Sequence, residues 1–366
     1  MFMEIRSSLP AACVALLALA AIVPVATAAA ESDGGTVDVE AVLSQAYAKT
    51  KTAETREQFE EIIALCNRAK ETQPKQALVD YANELSAWTH NQLGELYAEQ
   101  SAALAGEDRQ GEAEQIDAKA LVEFEAAVAA NPNYWKGYHN RGVSLALQGK
   151  FDQAIADFSR AIELKPKYAN AWFNRGEIQF DQGDYESAIS DYTQTIELTP
   201  DDYDAYIRRG HAYFHLRRFR EALADYDRAA ELKPNEVEAI VNRGDAQRNL
   251  GQWREAAQNY QQAVTLDNRS GHAYRSVAWL MATCPEDKYR KGQLAVQAAE
   301  RAVQLDGGED FTYLDTLAAA YANAGEFEKA QQTMPFAIKA APDHQKETLR
   351  RRLELYKANK PYREQE

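Results

Sequence analysis

The sequence predicts an all-α solenoid, in which antiparallel helix pairs stack in series and a last helix caps the stack. Three observations predict it. Four stretches rewrite one pattern at a 34-residue period: "NRGVSLALQGKFDQAIADF" from Asn140, "NRGEIQFDQGDYESAISDY" from Asn174, "RRGHAYFHLRRFREALADY" from Arg208 and "NRGDAQRNLGQWREAAQNY" from Asn242. Within each, an Arg-Gly pair is followed by Ala and then by an aromatic, as in Gly142, Ala154, Phe158 and Gly176, Ala188, Tyr192; the same register holds Gly210, Ala222, Tyr226 and Gly244, Ala256, Tyr260. Each period also holds two stretches of 3.6-residue apolar rhythm separated by a turn, such as Tyr168–Gln182 and Tyr185–Leu198 around Gly183-Asp184.

The elements follow in chain order. Residues 1–30 read as an export signal: a polar start with Arg6, the 18-residue run Leu9–Ala26, then small residues at Ala28 and Ala30 that suit cleavage after either. An uncleaved membrane anchor is the alternative. Residues 31–134 read as two degenerate or elongated units. "FEEIIALCNRAKETQP" carries Ile62, Cys66, Ala69 and Pro74 at the offsets of a second helix, "WTHNQLGELYAEQ" supplies Leu93, Gly94 and Tyr97, and "DAKALVEFEAAVAANP" supplies Ala120, Phe124, Ala127 and Pro132. About fourteen extra residues separate the last two, among them the polar stretch "AGEDRQGEAEQ".

Residues 135–270 hold the four regular units. Small residues such as Gly176 and Ala188 let paired helices approach, Trp172 and Tyr192 fill the space beside them, and Pro166, Pro200 and Pro234 stop the second helices. One such pair cannot bury its own apolar face, whereas stacked pairs can. Residues 271–343 hold two variant units. The first keeps Tyr274, Ala278, Ala295, Ala299 and Ala302 with about five extra residues around Cys284-Pro285; the second keeps Ala318, Tyr321, Gly325, Ala330, Ala337 and Pro342, with Pro335 expected to kink its second helix. Residues 344–366 supply the capping helix, in "HQKETLRRRLELYKANK", and a tail.

These units resemble tetratricopeptide (TPR) repeats in their 34-residue period and in the recurring Gly, Ala, aromatic and Pro positions, most closely over 135–270. The two variant units are similar to a TPR pair of exported bacterial proteins. The resemblance implies a right-handed superhelix with a concave inner groove, and a scaffold that binds a peptide or protein segment there, with no cofactor and no enzymatic activity. Export implies a periplasmic or secreted location, and a homo-oligomer is compatible with the pattern.

Groove candidates come from helical geometry. The residue before each Arg-Gly lies on the groove side: Asn140, Asn174, Arg208 and Asn242. An amide both donates and accepts, which suits gripping a peptide backbone. This row is similar to the asparagine ladder of O-linked N-acetylglucosamine transferase, from which Arg208 departs. One residue past each Gly stand Val143, Glu177, His211 and Asp245; Asp181 and His215 follow one turn on. These acids favour basic or polar ligand side chains. His211 and His215 with Glu177, Asp181 and Asp245 also frame a competing reading, a metal or small-ligand site. Self-association through the acidic N-terminal units, as a structural envelope component, is a third. The repeating Arg reads as architecture: Arg141, Arg175 and Arg209 each precede Asp157, Asp191 or Asp225 by sixteen residues, and Arg243 precedes Asn259. Lys136, His139, Asn170 and Asn174 do not reproduce the carboxylate clamp of chaperone-binding TPR domains.

Composition narrows the rest. The net charge of −15 is concentrated between Glu31 and Tyr134, which hold 20 acidic and 8 basic residues. With no basic stripe, a nucleic acid partner is not expected. No nucleophile elbow, zincin motif or phosphate loop occurs. Past the signal, only Cys66 and Cys284 remain, too far apart in an elongated array to pair, so free thiols are expected.

Overall fold

The computed structural model of the chain describes residues 37–364, so the expected export signal, with its expected cleavage site, lies outside the described residues. Among the described residues there are seventeen α-helices and no strand. The chain divides into two compact units at Pro200/Asp201. None of these helices is long and apolar enough to cross a membrane. Cys66 and Cys284 are both buried free thiols, and burial raises the pKa of each.

The first unit pairs α1 (Val39–Thr50) with α2 (Arg56–Glu71), α3 (Gln76–Gly106) with α4 (Gln110–Ala130), α5 (Trp135–Leu147) with α6 (Phe151–Leu164), and α7 (Ala169–Asp181) with α8 (Tyr185–Leu198). The second pair is the elongated one. Its helices have 31 and 21 residues, so the extra polar stretch is helix at both ends and only Glu107–Arg109 turns the chain. The usual contact survives the insertion: a Cβ on Gly94 would meet the Phe124 ring at 2.5 Å. Side chains close the helix starts where backbone donors would otherwise lack partners. Asp38 caps α1, Asp184 caps α8, and Thr55 with Gln58 forms a capping box on α2.

The second unit pairs α9 (Tyr203–His215) with α10 (Phe219–Leu232), α11 (Val237–Asn249) with α12 (Trp253–Leu266), α13 (Gly271–Thr283) with α14 (Gly292–Asp306), and α15 (Phe311–Asn323) with α16 (Phe327–Ala340); α17 (Asp343–Lys357) follows against α16. The extra residues after Cys284 form a short 3-10 turn, Asp287–Tyr289. Helix α16 passes through Pro335 without ending there.

The Arg-Gly/Ala/aromatic code is a packing code. Gly142, Gly176, Gly210 and Gly244 each lie directly under the ring of Phe158, Tyr192, Tyr226 or Tyr260, where a Cβ would approach ring carbon to between 2.5 and 3.0 Å. The rings are at most 1% exposed, and each contributes about 2–3 kcal/mol through burial alone. Arg141, Arg175 and Arg209 clamp Asp157, Asp191 and Asp225 of the paired helix through two hydrogen bonds apiece, at 2.7–2.9 Å. In the fourth repeat, Arg243 reaches Asn259 instead. One expectation is corrected. The core residue of α7 is Phe173, fully buried with its ring 5.7 Å from that of Tyr192. Trp172 is one residue out of phase, half-buried, with its indole N–H on the Pro166 carbonyl and the Arg175 guanidinium over its ring.

Candidate functional site

The asparagines predicted to grip a ligand are buried. In the first unit Asn140 Nδ2 donates to Asn91 Oδ1 and Glu95 Oε1 of α3, both at 2.9 Å. Beside it, His139 is fully buried, with Nδ1 3.1 Å from Asn140 Oδ1. Asn174 Nδ2 lies 3.1 Å from His139 Nε2. An amide nitrogen can only donate, so Nε2 accepts and the proton sits on Nδ1, donating to Asn140. The result is a polar relay across successive first helices: α3 to α5 through Asn140, and α5 to α7 through His139 and Asn174. Burial presses the His139 imidazole down to about 4, which keeps it neutral in this role. In the second unit Asn242 Nδ2 meets His211 Nε2 at 2.9 Å, joining α11 to α9 in the same way. Burial, with Arg208 nearby, likewise lowers His211 to about 4.

The predicted groove acids are also engaged. Tyr192 OH donates to Glu177 Oε1 at 2.5 Å, and Glu177 is 3% exposed. Tyr260 OH donates to Asp245 Oδ1 at 2.6 Å. Burial alone would raise the Asp245 carboxyl, but His272, Arg248 and Arg275 hold it well below the usual carboxylate range. The residue after each repeat glycine therefore matches the aromatic of its own repeat. Val143 stands in the repeat of Phe158, Glu177 and Asp245 accept from tyrosine hydroxyls, and the His211 ring meets Tyr226 edge-on at 5.8 Å. Asp181 and His215 end their helices exposed, and Arg208 is half-buried. No three His, Cys, Asp or Glu side chains gather as a metal-ligand set among the described residues.

Open faces occur elsewhere in both units. In the first unit a cavity of about 960 Å³ lies between the long α3–α4 hairpin and α5. Small apolar side chains line it, Ala98, Ala102 and Ala105 from α3 with Val143 and Leu147 from α5. Glu99, Glu114 and Asp117 also line it. Leu147 is 62% exposed, high for a leucine beside a packed face. Burial raises the Asp117 carboxyl, partly offset by Ser101. In the second unit a cavity of about 1010 Å³ is lined by Arg217, Arg248, Arg351 and Arg352. Sequence reasoning missed both. The first depends on two insertions being helical and equally long. The second depends on where the chain goes after α17.

Repeating helix pairs with a shared packing code define a helical-repeat solenoid protein. Three family profiles match, one described as a TPR repeat over residues 144–183 and two as tetratricopeptide repeats over 173–237 and 238–267. The chain carries tetratricopeptide repeats over residues 144–267. No curated protein matches it in sequence. Among solved structures it is similar to a tetratricopeptide repeat protein from Parabacteroides merdae, at 18% identity over 72% of this chain and 98% of that one, with a TM-score of 0.50. It is also similar to YrrB, described as a TPR protein with an unusual peptide-binding site, at 20% identity over 62% and 97% of the two chains, TM-score 0.39. The first TPR of Spaghetti, solved with an HSP90 peptide, is 31% identical over 31% of this chain and 90% of that one, TM-score 0.30.

Proposed function

We propose that this chain is an exported, non-enzymatic interaction scaffold whose first unit takes an amphipathic, basic protein segment. TPR repeats support the scaffold class. Export is supported by the pattern of residues 1–30, and a mature N-terminus at Ala29 or Glu31, read by mass spectrometry from the native host, tests it. The observation that carries the partner chemistry is the α3–α4–α5 cavity. Its apolar lining accepts leucine-sized side chains, and its carboxylates belong to the segment that holds most of the chain's net charge. An amphipathic helix with apolar residues on one face and Lys or Arg beside them satisfies both features.

The test is fluorescence anisotropy of a labelled Leu/Lys amphipathic peptide. Glu114→Lys should weaken binding, and raised salt should weaken it for the parent more than for the variant. Glu163→Lys, an equal charge change on the exposed end of α6, should leave binding nearly unchanged. Equal losses from both substitutions would mean bulk charge attraction and no site.

A further inference from the structure

The segment after α17 returns to the second unit. Glu364 N–H donates to the Thr283 carbonyl at 2.9 Å. Its Oε1 accepts from Trp279 Nε1 at 2.7 Å and pairs with Arg248. Arg363 donates to the Ala282 carbonyl and to Asn323 Oδ1, both at 2.9 Å. The Tyr362 ring lies 6.0 Å from that of Trp279, and the Arg352 guanidinium sits 4.5 Å over Tyr362 and 4.9 Å over Trp279, itself paired with Asp315.

Three features mark this face as a receptor and the segment as its occupant. Groups from α11, α13, α15 and α17 converge on three consecutive residues and engage both backbone and side chains, which is how a groove holds an extended segment. The fit is incomplete: Glu364 Oε2, Arg352 Nε and Asp315 Oδ1 are buried, and among the described residues no group bonds them. Unbonded buried polar atoms cost stability, so a better-matched ligand can outcompete this occupant. Finally, the arginine-lined cavity of about 1010 Å³ continues past Tyr362 and Glu364, giving a longer acidic ligand further cationic partners.

We propose that the face shared by α11, α13 and α15 is a binding site for an extended protein segment carrying an aromatic side chain two positions before an acidic one, and that residues 362–364 are its internal occupant, displaced when a partner binds. This rests on the interaction-scaffold reading but uses neither the first-unit cavity nor its basic ligand, so the two sites fail independently.

The probe is a fluorescein-labelled peptide with the sequence of Ala358–Glu364 and an amidated end, so that the glutamate side chain is the only carboxylate of its peptide part. It is titrated against the full chain and against a full-length Tyr362→Ala/Glu364→Gln variant whose helicity matches the parent. The variant should bind the probe about tenfold more tightly than the parent, because a tethered segment competes at millimolar effective concentration. A probe with Gln in place of its Glu should bind the variant about tenfold more weakly, having lost the charge-assisted bond to Arg248. Equal affinity for parent and variant would show that the probe binds elsewhere. No binding to the variant at millimolar probe would show that residues 362–364 are a structural strap. Either result overturns the proposal.

Discussion

Replacing Gly210 with Ala tests the repeat code directly. The new Cβ would lie 2.6, 2.9 and 3.1 Å from three carbons of the Tyr226 ring, where relaxed carbon contacts need about 3.5–4 Å. The ring must therefore move by nearly 1 Å or the two helices must part. Tyr226 is 1% exposed and already meets the His211 ring, so little slack exists. Overpacking of this kind costs about 1–3 kcal/mol, set against about 1 kcal/mol of improved helix propensity. A net loss of up to about 2 kcal/mol follows. Gly111, in α4, has nothing within 4 Å of its would-be Cβ, so Gly111→Ala should be neutral or stabilise by about 0.5 kcal/mol. Combining Gly210→Ala with Tyr226→Leu should cost less than the sum of the single changes, because leucine lacks the ring edge that clashes. Guanidinium unfolding followed by far-UV circular dichroism supplies the free energies, with the m-value checked for constancy. If Gly210→Ala stabilised the protein as Gly111→Ala does, the reading of the repeat glycine as a clearance for the ring would be wrong.

Three further outcomes follow from the same contacts. Arg175→Ala should cost about 3 kcal/mol by stranding the buried Asp191 carboxylate, whereas Arg243→Ala, which faces the neutral Asn259 and an exposed Asp227 carboxylate, should cost about 1 kcal/mol; denaturation of the two variants compares them. His139 is depressed to about 4 from an unfolded value near 6.5, so its contribution is fully present above pH 6.5 and is lost as pH falls through 4. That amounts to about 3 kcal/mol of pH dependence, which His139→Gln, measured against the parent between pH 7 and 4.5, should largely remove. Arg217 takes the left-handed conformation at φ 59°, where the other regular repeats turn on Gly149, Gly183 and Gly251; Arg217→Gly should raise stability by about 1 kcal/mol in a thermal melt.

The architecture was legible because its cause is local and periodic. A fixed spacing from Gly142 to Phe158, or from Arg141 to Asp157, reports a helix pair whatever else surrounds it, and the pairing of Arg with Asp followed from spacing and charge. Trp172 and Phe173 were harder to separate, since adjacent aromatics on one helix differ only by 100° of phase. The groove residues misled for a physical reason. Asn140, Asn174 and Asn242 do sit on first helices, but they face the first helix of the preceding repeat, where an amide bridges buried partners such as His139. Glu177 and Asp245 could have been recognised as internal: each stands in a repeat whose aromatic is a tyrosine, whereas Val143 accompanies Phe158. The fold-back of Tyr362–Glu364 has no periodic signature, because its partners Arg248, Trp279 and Asn323 come from three different repeats.

The most direct measurement compares Leu147→Asp with Asn174→Ala, recording for each both the unfolding free energy and the affinity for the amphipathic basic peptide. A scaffold with its site on the α3–α4–α5 cavity loses peptide affinity with Leu147→Asp while keeping its stability. Asn174→Ala, which removes a buried bridge to His139, then lowers stability by about 1–2 kcal/mol and leaves affinity intact. The opposite pattern, affinity lost with Asn174→Ala at unchanged stability and retained with Leu147→Asp, would return the binding site to the asparagine row and contradict the site proposed on this cavity.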